Sequence, residues 1–168
     1  DLTLAERHGS MQAWIDAVTR VAGGEGLWEG TLQFGDWLDP TAPPDAPGRA
    51  RADRDLVATA YRYRVLNAAG RAAEEIGNAA AAERLRTIAE RVREAFVGAY
   101  VTPSGRMLSD SPTAYVLALR FGLITDPDQR RGAAERLVAC VRRDGYHIGT
   151  GFLGTPHLLD ALTDGGHT

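Results

Sequence analysis

No lysine occurs among the 168 residues; all 19 basic side chains are arginine. Every mechanism that needs a lysine is therefore excluded, whether a P-loop phosphate grip, a Schiff base or a lysine general base. The single cysteine, Cys140, rules out an internal disulfide framework and any cysteine-built metal cluster. It lies in an apolar helical stretch, where a buried structural thiol is expected. No apolar run approaches the ~20 residues of a membrane span, and no signal peptide is recognisable. The four histidines, at 8, 147, 157 and 167, show neither an i, i+4 pair nor an H-x-x-E-H pattern, so no metal centre is expected. A basic stripe is missing too. The net charge of −3 argues against an electrostatic nucleic-acid binder.

What is present describes one globular unit. Apolar residues make up 44% and charged residues 24%, a balance that supports a packed core. Alanine is the commonest residue, which favours helix. Together with the missing lysine, the wealth of Ala, Arg and Gly also looks like a GC-rich genome. The first residue is Asp1 and the last four are Gly165-Gly166-His167-Thr168, which reads as a piece excised from a longer polypeptide.

Hydrophobic spacing predicts about six helices and no convincing strand. Met11, Trp14, Ile15 and Val18 share one helix face, and Gly23-Gly24 ends that helix. Residues 25–52 form a long aperiodic loop region with Trp28, Trp37 and four prolines. The two tryptophans argue for order in its first half, whereas Thr41–Gly48 looks mobile. The next helix runs from Asp53 to Ile76, with Val57, Tyr61, Val65, Ala69, Ala72 and Ile76 on its face. Gly77 suits its C-terminal cap and Asn78 the next N-cap. The third helix reaches about Tyr100, with Leu85, Ile88, Val92, Phe96 and Ala99 inward and Arg86, Glu90 and Arg93 spaced to pair outward. Thr102-Pro103-Ser104-Gly105 is a turn. Ser111-Pro112, Asp126-Pro127 and Thr155-Pro156 each read as an N-cap followed by proline in the first helical turn. Helices joined by short turns pair antiparallel, so the fold class is all-α, built of antiparallel helical hairpins that can curve into a toroid with loops at one end.

Two loops carry the chemistry-bearing residues. Gly149-Thr150-Gly151-Phe152-Leu153-Gly154 matches G-x-G-x-x-G, but no βαβ unit surrounds it and no acidic residue follows about 20 positions later. Tight backbone packing is the expected use of these glycines. Phe34-Gly35-Asp36-Trp37-Leu38-Asp39-Pro40 sets an indole among carboxylates, as carbohydrate sites do: the ring stacks on the C–H face of a sugar and a carboxylate accepts from its hydroxyls. The structural alternative makes Trp37 a core residue and Asp36 an acceptor for loop N–H groups. Asp36 and Asp39 as a glycosidase pair are disfavoured, because such a pair must flank the scissile bond from opposite sides. His147, beside Tyr146, is either a hydrogen-bonding ligand contact or a structural histidine.

Three segments in order, Gly35-Asp36-Trp37-Leu38, Thr113-Ala114-Tyr115-Val116-Leu117-Ala118-Leu119 leading into Phe121-Gly122-Leu123, and His147-Ile148-Gly149-Thr150-Gly151-Phe152-Leu153-Gly154-Thr155, resemble the catalytic domain of bacterial α-L-rhamnosidases, glycoside hydrolase family 78. The resemblance spans nearly the whole chain. It implies about half of an (α/α)6 barrel, so that residues 1–168 are a fragment of one such catalytic domain. It also implies inverting hydrolysis of terminal α-L-rhamnose by two carboxylic residues, one acid and one base. The acidic segment that supplies the family's general acid falls before Asp1 in the motif order, and the Trp-Glu segment of the base falls beyond Thr168. No catalytic residue is therefore expected in this chain. Asp36 and Trp37 would line the sugar site, with His147 and the glycine loop at the same end. No cofactor is implied. The partners implied are a rhamnosyl glycoside and the remainder of the parent polypeptide, or self-association of the piece. Rival readings are another (α/α)6 carbohydrate hydrolase or lyase, and a non-catalytic helical interaction module. Disorder and full exposure of Asp36 and Trp37 would favour the module.

Overall fold

A computed structural model describes residues 2–24 and 26–167. Six helices follow one another: α1 (Leu2–Val21), α2 (Arg54–Glu75), α3 (Ala79–Tyr100), α4 (Pro112–Arg120), α5 (Pro127–Arg143) and α6 (Thr155–Asp164). Among the described residues the only extended pairing is an isolated antiparallel bridge between Val101 and Met107.

Capping chemistry sets most of the helix starts. The Asp53 carboxylate accepts from the Leu56 N–H at 2.8 Å, the Asn78 side chain from Ala81, and Ser111 from Ala114. Asp126 accepts from both Asp128 and Gln129. Gly77, at φ +75°, turns the chain between α2 and α3 in a conformation that only glycine adopts cheaply. Thr155 breaks the pattern. It lies inside α6, Gly154 is the N-cap, and no side chain caps that end. The Thr155 hydroxyl is directed instead to the Thr150 and Gly151 carbonyls, 3.1 and 2.8 Å away.

Short and long connections alternate. Residues 76–78 and 121–126 turn the chain at one end, while 22–24, 26–53, 101–111 and 144–154 occupy the other. The N-termini of α2, α4 and α6 meet at the long-connection end. The Asp53 N–H donates to the Ser109 hydroxyl at 2.9 Å, and Thr113 in the first turn of α4 and Gly154 at the start of α6 both donate to Asp36. α3 packs along α2, and α5 packs on α4 and α6. The core forms two clusters. Ile15, Leu66, Leu85, Ile88 and Val92 join α1 to the α2–α3 pair. Leu56, Phe96, α4, Leu123, Ile124, Leu137 and Leu158 make the other. Every residue of α4 from Pro112 to Leu119 is buried, so this short helix is a central post rather than an amphipathic wall. Cys140 is buried in the same cluster, and burial pushes its thiol above the usual range.

Several local expectations differ from the structure. Thr41–Gly48 is a run of turns, closed by Ala42 N–H to Asp39, Ala46 N–H to Pro43 and Arg49 N–H to Ala46, and Leu38 donates across it to the Pro47 carbonyl. Proline there shapes turns rather than loosening the chain. Trp14 shares a face with Ile15 and Val18 but is 49% exposed, whereas Ile15 and Val18 are buried. Arg93 pairs with Glu90 as its spacing allows, whereas Arg86 turns to Glu83 and Glu74.

α5 crosses the 102–105 turn through a glycine contact. A Cβ on Gly132 would fall on the Ser104 carbonyl, and one on Gly105 would strike the Gln129 carbonyl. Gly→Ala inside a helix ordinarily stabilises by about 1 kcal/mol. Gly132→Ala is expected to reverse that sign and destabilise by roughly 2 kcal/mol through overpacking. Thermal unfolding of the chain checks it, and a raised midpoint would contradict the packing described.

Candidate functional site

The organising contact at the long-connection end is made by Asp36. It is fully buried. Its Oδ2 accepts from the Gly151 N–H at 2.7 Å and from the Thr113 hydroxyl, and its Oδ1 accepts from Leu153 and Gly154 at 2.9 and 3.2 Å. The Phe152 N–H donates to the Trp37 carbonyl at 2.7 Å. Loop 36–39 is thus stitched to loop 149–154 along its backbone. The stitch explains the glycines. A Cβ on Gly151 would lie 2.5 Å from the Asp36 carbonyl oxygen and 2.6 Å from that of Trp37. The G-x-G-x-x-G spacing serves close packing, and Asp36 satisfies loop N–H groups.

Arg51 makes the second tie. Its Nη1 donates to Asp144 at 2.9 Å, its Nη2 to the Gly149 carbonyl at 2.5 Å, and its Nε to Asp39 at 3.4 Å. Asp39 is nearly as buried as Asp36 and also accepts from the Thr41 N–H and hydroxyl and the Arg51 N–H. Burial works to raise the Asp39 carboxyl, but these hydrogen bonds and the Arg51 charge outweigh it and hold it below the usual carboxylate range. Asp144 is held low in the same way, with burial opposed by Arg51 and Arg143.

Trp37 is 39% exposed and stands edge-on to Phe34, with ring centroids 5.7 Å apart. Its ring leans on Gly48, where a Cβ would come within 3.2 Å. His147 is exposed. Its Nδ1 lies 3.0 Å from the Gly145 carbonyl and 3.2 Å from that of Asp144. A carbonyl only accepts, so Nδ1 is the donor in these contacts. Leu38 and Tyr146, the immediate neighbours of Trp37 and His147, both have φ +62°, a conformation non-glycine residues rarely hold. Such strain is kept only where surrounding contacts over-determine the backbone. The same loops expose Phe34, Tyr146, Ile148 and Phe152, an apolar rim of the kind that marks an interaction site.

The structure therefore brings Asp36 and Trp37 against the glycine loop, and Arg51 ties in the segment that carries His147. Asp36 contributes no free oxygen to the rim; its four donors come from residues 77 to 118 positions away. Sequence reasoning missed Arg51, Thr113 and Asp144. Arg51 is 93 residues from Asp144, so no local spacing could announce the pair. Among the described residues no group of three His, Cys, Asp or Glu side chains is placed to hold a metal.

Comparison with known proteins fits this architecture. The chain matches the bacterial α-L-rhamnosidase six-hairpin glycosidase domain over residues 1–168, and it belongs to that family. It is 38% identical over 165 residues to an α-L-rhamnosidase of Streptomyces avermitilis, which covers 98% of this chain and 15% of that protein. It is 30% identical to an α-L-rhamnosidase of an Alteromonas species, covering 98% of this chain and 18% of that one. Among solved structures, an Aspergillus terreus α-L-rhamnosidase superposes with a TM-score of 0.91 at 32% identity, over 98% of this chain and 19% of that one. The S. avermitilis enzyme in complex with L-rhamnose superposes with a TM-score of 0.83 at 36% identity, over 98% and 15%. The chain thus spans less than a fifth of the length of these relatives. Its helical hairpins are about half of a six-hairpin (α/α)6 domain.

Two outcomes are expected. Asp36→Asn replaces a four-donor acceptor by an amide with its own N–H groups. It should cost about 2–3 kcal/mol and speed hydrogen exchange at Gly151, Leu153 and Gly154; unchanged protection there would contradict the stitch. Asp39 and Asp144 are depressed in the folded state, so their contribution is complete above the unfolded carboxylate value of about 4 and is lost as pH falls below it. Urea unfolding between pH 7 and pH 3 should show this loss, and Arg51→Met should flatten it.

Proposed function

We propose that this chain is part of the catalytic domain of an α-L-rhamnosidase, and that residues 1–168 are one fragment of its (α/α)6 barrel, with 25–52 as a loop region of the sugar-facing end. The parent removes terminal α-L-rhamnose from glycosides by inverting hydrolysis. The observation that carries this reading is the gathering of the three long connections of a rhamnosidase-family chain into one rim, with an exposed indole on a rigid loop.

In this reading the Trp37 face stacks on the C–H face of the sugar, and His147 offers Nε2 to a hydroxyl. Asp36 serves the substrate by holding the Trp37 loop rather than by touching the sugar, since its lone pairs are already engaged. Asp36 and Asp39 do not supply the acid and base. Both are buried and saturated with donors, whereas inverting hydrolysis needs two accessible carboxyl groups about 6.5–9.5 Å apart with room for water between them. Those two groups come from other parts of the parent, and the 168-residue piece is inactive alone. The S. avermitilis relative crystallised with L-rhamnose supports the choice of sugar. A purely scaffolding helical module would have no need of a pinned, aromatic-bearing loop at this end.

The test is hydrolysis of a chromogenic α-L-rhamnopyranoside by the full-length parent beside the 168-residue piece. Release is expected from the parent alone, with the β-anomer of rhamnose appearing first by proton NMR. Trp37→Ala in the parent should lower kcat/KM by roughly tenfold, about 1.4 kcal/mol of lost stacking. Release by the piece itself would overturn the assignment of acid and base to other segments.

A further inference from the structure

One guanidinium joins the two loops of the rim. Arg51 donates from Nη1 to Asp144 and from Nη2 to the Gly149 carbonyl, so it holds both ends of residues 144–149. Its Nε reaches Asp39, two residues beyond Trp37. Between the held ends lie Tyr146, at φ +62°, and the exposed His147. The His147 ring is bonded through Nδ1 to the Asp144 and Gly145 carbonyls, which anchors it to the end that Arg51 fixes. From Ile148 to Thr150 no backbone N–H finds a backbone acceptor among the described residues, and the Arg51 bond to the Gly149 carbonyl steadies the chain there. Two residues run against local preference and suit this bracket. Asp144 is the C-cap of α5, where the partial negative charge of a helix end disfavours a carboxylate; Arg51 and Arg143 compensate it. Gly149 is outside the left-handed conformation that favours glycine, so its missing Cβ provides room. A Cβ there would strike the Asp144 carboxylate and come within 2.9 Å of Arg51 Nη2.

We infer that Arg51 is a positioning residue for sugar recognition. By bracketing residues 144–149 and gripping Asp39, it sets where His147 stands relative to Trp37, and so governs affinity for the rhamnosyl unit rather than the rate of bond cleavage. The inference rests on the reading of Trp37 and His147 as sugar contacts. A guanidinium suits the task because its planar fork meets three acceptors at fixed angles, whereas a lysine ammonium is a point charge on a flexible stem. Arg51 acts through a contiguous path: its ion pair fixes Asp144, and the carbonyls of Asp144 and Gly145 fix the imidazole. In the reading above the acid and base come from other segments. Releasing the bracket therefore weakens ground-state and transition-state binding alike, which raises KM and spares kcat.

The test uses the full-length parent and a chromogenic α-L-rhamnopyranoside. Arg51→Met, Arg51→Lys and Gly149→Ala should each raise KM roughly fivefold with kcat held within about twofold. Gly149→Ala evicts the guanidinium by bulk and leaves every charge in place, so it reads the bracket even where an Arg51 variant does not fold. Added to His147→Ala, Arg51→Met should raise KM by less than about twofold further, because the two act on one contact. Hydrogen exchange of the peptide holding residues 144–149, read by mass spectrometry, should quicken in all three single variants. A wild-type KM for Arg51→Met and Gly149→Ala beside a raised KM for His147→Ala would overturn the inference and leave the sugar contact standing. An equal rise in both backgrounds would overturn action through His147. A fall in kcat at unchanged KM would overturn a role in affinity, and a wild-type KM for Arg51→Lys would overturn the fork. An unchanged KM for His147→Ala is a distinct result, which would overturn the sugar contact itself and the inference with it.

Discussion

The burial of the Asp36 carboxylate is the constraint on which the rim depends. A charged group with no exposed surface is costly unless its lone pairs are met. Three backbone N–H groups and a threonine hydroxyl meet them. Two of these donors sit at the starts of α4 and α6, where the partial positive charge of a helix end favours an anion. The same carboxylate thus seats the Trp37 loop, orders the glycine loop, and fixes how two helices begin relative to each other. Arg51 extends this order outward to the segment around His147.

The two ends of the helical array have different tasks. At the short-turn end a single glycine at +75° and an asparagine cap suffice to reverse the chain between α2 and α3. At the other end, long segments are folded on one another by side-chain-to-backbone bonds, and the backbone strain of Leu38 and Tyr146 collects there. Rigid helices with α4 buried at their centre carry a rim whose shape is set by polar contacts rather than by hydrophobic packing.

Helix identity and most helix boundaries were legible in the sequence because capping is local chemistry. Asp53, Asn78, Ser111 and Asp126 act within three residues of themselves. Thr155 misled because its hydroxyl had nearer carbonyls to bond behind it. The Thr41–Gly48 segment misled because proline content signals a departure from helix without revealing whether the turns are closed. Asp36 was legible as a residue of interest but not in its role. Its donors lie far along the chain, and only the folded structure reveals that its oxygens are all engaged. The alternation that exposes Trp37 while burying Asp36 likewise follows from the tertiary stitch, not from the local pattern.

The placement of the three long connections at one end also shapes how such a chain can vary. Closing a longer loop costs little, about 0.6 kcal/mol for each doubling of its length. Lengthening the 22–53 or 144–154 connection leaves the helix faces below untouched, provided that the Asp36 stitch survives. The 76–78 turn has no such freedom, because its cap and its glycine are the connection. Recognition can therefore be rewritten at one pole of the molecule while the other pole preserves the architecture.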